Sequence, residues 1–327
     1  MNVRRLIPAT ATAGAVALGL VAVSACSAPT TDGRDGDGRL SVVASFYPMQ
    51  YLAQEIGGDH VSVSSLTKPG IEPHDLELGP RQTAKLNEAG FILYLKGVQP
   101  AVDKAIAQSE AKHRIDAATL TTLEHHGTEG GHSHGTDEPG HDKHDDKHDD
   151  EGESGADPHI WLDPVKYAEV ARGVGKSLEK ADPDHAADYK RNTDALVTKL
   201  DGLDADYRRG LKDTTTKTFI TTHSAFGYLA ERYGLDQEGI SGIDPESEPS
   251  PARIKELQAV AAQDKVTTVF FETLASDKTA RTLAEDTGLK TDVLDPLEGI
   301  TDKSKGRTYL EVMKSNLAAL QKALGAK

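Results

Sequence analysis

Leu40-Ser41-Val42-Val43-Ala44-Ser45-Phe46 is a short apolar run, and the ten residues after it, Tyr47 to Ile56, read as a helix. A run of that length with β-branched residues suits a strand buried on both faces, and a helix directly behind it begins a strand–helix alternation. The alternation continues. Val61-Ser62-Val63-Ser64-Ser65-Leu66 repeats with period two and predicts a second strand, Arg81 to Ala89 predicts a helix, and Gly90 marks its end before the strand Phe91-Ile92-Leu93-Tyr94-Leu95. The same grammar resumes at Thr218-Phe219-Ile220-Thr221-Thr222 and a helix through Arg232. Val266 to Phe271, a helix from Asp277 to Thr287, Thr291 to Leu294 and a closing helix Gly306 to Leu324 follow. Strands alternating with helices predict parallel α/β sheets, and two such segments predict two lobes.

Between the segments lie two long helical patterns, Pro164 to Lys180 and Pro183 to Leu211, each opened by a proline where a first helical turn tolerates one. A helix joining two lobes is a stiff connection. The expected organisation is a first lobe over 40–163, a linking helix over 164–182 and a second lobe over 183–327.

The N-terminal residues speak to the compartment. Arg4 and Arg5 precede an apolar stretch from Leu6 to Val23 that closes in Val23-Ser24-Ala25-Cys26. This order resembles a bacterial lipobox, which implies removal of residues 1–25 and a diacylglycerol anchor on Cys26. The alternative is an uncleaved membrane helix. Cys26 is the single cysteine, so no disulfide partner competes for it. Residues 26–39, rich in Thr, Gly and Asp, read as a flexible tether. With 52 acidic against 37 basic side chains and a net charge of −15, the chain is a poor partner for nucleic acid and a suitable one for cations.

Residues 125–155 stand apart. They carry His125, His126, His132, His134, His141, His144 and His148 among Asp, Glu, Gly and Lys, with almost no apolar residue. Such a segment cannot bury enough surface to fold alone and is expected to be a mobile accessory loop that contacts divalent metals loosely. Three other histidines sit where sites form in parallel sheets: His74 beyond the second strand, His159 before the first long helix, and His223 at the carboxyl end of Thr218 to Thr222. His60, His113 and His185 have no such context.

The segments Pro73-His74-Asp75, Asp157-Pro158-His159-Ile160-Trp161-Leu162-Asp163-Pro164, Thr222-His223-Ser224-Ala225-Phe226 and Asp295-Pro296-Leu297-Glu298-Gly299 occur in an order that resembles the metal-binding substrate-binding proteins of ABC transporters, cluster A-I, zinc branch. The resemblance implies two (β/α) lobes joined by one long rigid helix, with a metal in the cleft between them. It implies His74, His159 and His223 as ligands, with Glu298 as the fourth and Asp295, Glu272 or water as its competitors. Three imidazoles and a carboxylate suit Zn²⁺, whereas manganese relatives carry a carboxylate in place of His223. The function so implied is capture of Zn²⁺, held as cargo, by a lipid-anchored monomer outside the cytoplasmic membrane, for an ABC permease and its ATPase. Transport of manganese or another divalent ion, adhesion, metal buffering and zinc hydrolysis are the alternatives. Hydrolysis is the weakest, for the chain holds no His-Glu-x-x-His pair.

Overall fold

The computed structural model describes residues 33–126 and 155–326. Cys26, the leader and most of the tether, together with His132, His134, His141, His144 and His148, lie outside the described residues.

In chain order the first unit contains β1 (Leu40–Ala44), α1 (Tyr47–Gly57), β2 (Val61–Ser65), α2 (Pro80–Glu88), β3 (Phe91–Tyr94), α3 (Pro100–Ala107) and β4 (Arg114–Asp116). After a 3-10 turn at Ile160–Leu162 come α4 (Pro164–Ala181) and α5 (Ala186–Gly210). The second unit contains β5 (Thr218–Thr221), α6 (Gly227–Tyr233), β6 (Asp236–Gly239), α7 (Pro251–Gln263), β7 (Thr268–Phe271), α8 (Lys278–Thr287), β8 (Lys290–Val293) and α9 (Tyr309–Leu324). Both sheets are parallel throughout, with the matching orders β2-β1-β3-β4 and β6-β5-β7-β8. The α/β class and the two parallel-sheet lobes are as the sequence predicts.

Period-two alternation divides the strand side chains between cores. Val42, Ala44, Phe91 and Leu93 face an inner core, while Val43 and Ile92 face an outer one. In the second sheet Phe219 and Phe270 point inward, and Ile220 and Val269 outward. Strands buried on both faces explain why the runs read as continuously apolar. The inner core is shared. It runs without a break from β1 and α1, through Trp161, α4 and α5, to α9 and the second sheet.

Polar tips of buried aromatics bind that shared core across the two units. Tyr309 of α9 stacks on Tyr51 of α1 at 5.5 Å and packs on Tyr167 of α4 at 4.6 Å, and its hydroxyl donates to Trp161 O. Tyr167 donates to Pro48 O and Tyr207 to Met313 O, so each hydroxyl is satisfied at depth. Both long helices touch the two units: α5 packs on α1 and on α9, and α4, the helix expected as the link, packs along α5 and against α1 while its Tyr167 reaches Tyr309 of α9.

The close approach of α4 and α5 depends on Gly175, where an added Cβ would lie 2.2 Å from Thr193 Oγ1 and 3.1 Å from its Cγ2. Thr193 Oγ1 is already committed to Tyr189 O at 2.8 Å. Gly175→Ala gains up to about 1 kcal/mol of helix propensity and loses about 1–3 kcal/mol by overpacking. A net destabilisation of about 0–2 kcal/mol is therefore expected, read as a lower urea midpoint at unchanged slope; a raised midpoint would show that the helices can part freely.

Candidate metal centre

The loops at the carboxyl ends of the strands meet between the two sheets, the place where parallel sheets gather ligands. His74 lies in the loop after β2, His159 just before the 3-10 turn, His223 two residues beyond β5, and Glu298 in the turn after β8. Helix α6 starts only at Gly227, which leaves His223 in an irregular turn with its imidazole free to aim inward.

Their ligating atoms lie within 4.8 Å of one another. Glu298 Oε1 is 3.4 Å from His74 Nε2, 3.4 Å from His159 Nε2 and 3.3 Å from His223 Nε2. A tetrahedron with metal–ligand bonds of about 2.0–2.1 Å has edges of about 3.3–3.4 Å, so the separations fit four ligands of one Zn²⁺-sized ion. His159, His223 and Glu298 are buried, and His159 Nε2, His223 Nε2 and Glu298 Oε2 have no hydrogen-bond partner. Leaving such atoms unpaired costs about 1–3 kcal/mol each, and a cation at their centre removes that cost.

Outer carboxylates fix the imidazoles. His159 Nδ1 donates to Asp157 Oδ1 at 2.7 Å, and the same oxygen accepts the His159 backbone N–H at 2.9 Å. His223 Nδ1 donates to Glu272 Oε1 at 2.5 Å, while Thr222 Oγ1 donates to that oxygen as well. With Nδ1–H committed, Nε2 presents a lone pair to the centre. The Glu298 turn is built with equal care. Leu297 adopts φ +61°, its N–H donates to Asp295 Oδ1 at 2.9 Å, and Asn316 of α9 holds Asp295 through both backbone groups. Trp161 Nε1 donates to Pro296 O at 2.7 Å and ties the turn to the inner core.

The charges respond to one another. Burial by itself would lower the His223 pKa, but the carboxylates of Glu272 and Glu298 outweigh it and raise it well above the ordinary imidazole range. His159 is raised in the same way by Asp157 and Glu298. Burial opposes ionisation of Glu298, yet the three histidines hold its pKa well below normal. Glu72, whose Oε1 accepts the His74 N–H at 3.2 Å, is pushed up to about 9 by burial and by Glu298.

The family model for zinc-uptake complex component A, periplasmic, matches residues 42–323. The chain belongs to this family. Among its relatives, the high-affinity zinc uptake system protein ZnuA of Bacillus subtilis is 35% identical over 310 residues, 92% of this chain and 93% of the relative. The zinc-binding lipoprotein AdcA of Streptococcus pneumoniae is 36% identical over 295 residues. The chain spans only 56% of that relative's length. The crystal structure of the Zn(II)-bound ZnuA-like domain of Streptococcus pneumoniae AdcA superposes with a TM-score of 0.70 at 32% identity, covering 88% of this chain and 99% of that one.

Within this member of the family, the four residues His74, His159, His223 and Glu298 converge. The competitors do other work: Asp295 shapes the turn that carries Glu298, and Glu272 orients His223. Of the loop histidines that are described, His125 Nδ1 pairs with Gly155 O at 3.2 Å, and His126 is held by Asp157 Oδ2 and Glu231. His60, in the turn after α1, and His185, in the turn between α4 and α5, stack on each other at 3.9 Å. Sequence reasoning assigned no role to Asp157 or Glu72; both stand two residues before a candidate ligand, and that spacing was the available signal.

Glu272→Gln keeps an acceptor for Thr222 and for His223 Nδ1–H but removes the charge that makes the imidazole a strong donor to metal. Zn²⁺ affinity should fall about 10–100-fold, measured by competition against a chromophoric chelator; an unchanged affinity would leave Glu272 no part in orienting His223.

Proposed function

We propose that this chain captures Zn²⁺ through His74, His159, His223 and Glu298 and delivers it to the permease of an ABC importer driven by its ATPase. The observation that carries the proposal is the set of three 3.3–3.4 Å separations around Glu298 Oε1, which match the edges of a zinc tetrahedron. The N₃O set favours Zn²⁺ over Mn²⁺, which prefers oxygen-rich shells. Glu298 fills the position that a catalytic zinc keeps open for water, so binding is favoured over hydrolysis. The importer, its permease and its ATPase come from the family and from relatives that are named for zinc uptake.

The proposal includes a monomer anchored through acylated Cys26 at the outer face of the cytoplasmic membrane. No helix among the described residues is long and apolar enough to cross a membrane. We place the lobes near 40–163 and 211–327, with the long helices α4 and α5 between them.

Zinc titration of two variants tests the assignment. His223→Ala should weaken tight binding by more than the roughly 10–100-fold expected of an outer partner. Removing residues 127–154 should preserve one tight site, and the stem tolerates the cut because Asp157 N–H bonds to Glu124 O at 2.8 Å. Loss of the tight site with the loop would overturn the assignment.

Binding should also release protons. The raised pKa values of His223 and His159 extend the pH range over which these imidazoles hold a proton in the metal-free site, and Zn²⁺ must displace a proton held there. Their contribution to metal-free stability is full below the unfolded imidazole pKa and is lost as pH rises through the folded values. Apparent zinc affinity therefore increases with pH across the same interval. Calorimetry in buffers of different ionisation enthalpy should give buffer-dependent heats, and equal heats would refute the linkage.

A further inference from the structure

The sequence reads residues 26–39 as a flexible tether, but from Gly33 onward the chain is docked. Gly33 adopts φ +65° and seats against Gly90, just ahead of β3; a Cβ on Gly33 would stand 2.2 Å from Gly90 Cα. Gly33 O accepts the Ser41 N–H at 2.9 Å, and Gly90 N–H donates to Ser41 O at 3.0 Å, so this strap lies along the amino-terminal edge of the first sheet. Arg34 fastens it. Its guanidinium donates to Gly38 O at 2.9 Å and to Asp182 Oδ1, at the end of α4, at 2.7 Å.

The seat is at the opposite end of the lobe from the metal centre. His74 follows β2 at its carboxyl end, whereas Gly33 sits at the amino ends of β1 and β3, and all four strands run the same way. Helix α4 supplies a ruler. It is capped by Asp163, just after His159, and runs 18 residues to Asp182, a length of about 27 Å.

The strap is held firmly at one point and loosely elsewhere. Asp182 is fully buried, and a guanidinium bonded to a carboxylate makes a strong clasp. Residues 33–39 contain no apolar side chain, and a cavity of about 650 Å³ bordered by Gly33, Arg34, Asp35, Glu88, Lys112 and His113 adjoins them. If Arg34 lets go, Asp182 Oδ2 keeps the Tyr189 hydroxyl at 2.6 Å and His185 Nδ1 at 2.8 Å, so release leaves no orphaned buried charge. A segment with so few buried contacts can open while the lobe stays folded.

We propose that residues 33–39 are a releasable strap which, clasped by Arg34 to Asp182, turns the amino-terminal edge of the first lobe toward the lipid surface and holds the metal centre away from it. This rests on the Cys26 anchor of the import reading. Six residues separate Cys26 from Gly33 and span at most about 25 Å whatever their conformation. That reach is no greater than the length of α4, so the clasped strap keeps the metal end off the lipid and open to the side from which ions arrive. Release of residues 33–39 adds about 25 Å of chain, enough for the metal end to turn toward a permease in the same membrane.

The test uses the chain expressed with its leader and inserted from outside into phosphatidylglycerol–phosphatidylethanolamine vesicles whose surface carries an acceptor dye. A donor dye is placed through Asp59→Cys, just before β2, or through Lys68→Cys, just after it. Both positions are exposed, and with Cys26 acylated no other thiol competes for the dye. Energy transfer should be stronger from position 59 than from position 68. Arg34→Ala, which removes the clasp, and Gly33→Val, which blocks the seat without changing charge, should each abolish that difference and leave tight Zn²⁺ binding unchanged. Membrane-bound parent with equal or stronger transfer from position 68, or a difference that survives both substitutions, would overturn the strap alone. A parent that floats free of the vesicles would instead overturn the Cys26 anchor, and the strap's role with it.

Discussion

Three imidazole nitrogens and one carboxylate are held together at depth, where water cannot separate them. That convergence is the constraint to which the rest of the fold answers. Lone pairs aimed at one point repel unless a proton or a metal occupies it, so the site left to itself would spread apart. His159 and His223 are prevented from turning away by Asp157 and Glu272. Glu298 is prevented by a turn that forces Leu297 into the left-handed region and is locked by Asn316 and Trp161. Such a conformation at a non-glycine residue costs about 1–3 kcal/mol and persists because the inner core over-determines it.

The shared inner core is what allows the two sheets to hold opposite halves of the site. His74 and His159 come from the first unit and its exit, and His223 and Glu298 from the second. Two lobes with separate cores and a flexible link would let these halves drift. Here α5 touches both units, and the tyrosines of α1, α4 and α9 stack on one another. An interior packed like a crystal resists continuous deformation, so the spacing around Glu298 Oε1 is set by the fold.

The sequence made some of this legible and hid the rest for physical reasons. The strands buried on both faces, β1, β3, β5 and β7, announce themselves as apolar runs. β6, Asp236-Gln237-Glu238-Gly239, contains no large apolar side chain; it exists because β5 offers it a ladder, which is a non-local fact. Helices α3 and α7 are short or weakly patterned and also escaped the reading. The three candidate histidines were visible through their motifs, and the family resemblance put Glu298 ahead of Asp295 and Glu272, but the residues by themselves did not separate the three carboxylates. Three carboxylates lie near the ends of β7 and β8, and only tertiary contacts show which one points at the imidazoles. His126 was grouped with the loop because its neighbours in sequence are polar and histidine-rich, whereas its neighbours in space are Asp157, Gly227 and Tyr228.

Rigidity also limits how a metal could leave. If the lobes share a core, release by wide hinge opening would expose the tyrosine stack and the Trp161–Pro296 bond together, at the cost of the inner core itself. Loop movement exposes far less. His74 is the most exposed of the four proposed ligands, at 10%, and its loop between β2 and α2 is long and irregular. Glu72 in that loop has a carboxyl oxygen with no hydrogen-bond partner, so the loop gives up little polar contact by moving. The three remaining ligands are each tied to the core by an outer carboxylate or by the locked turn. A site built from one loosely held ligand and three fixed ones opens from the loosely held side, and that side is the loop of the first lobe.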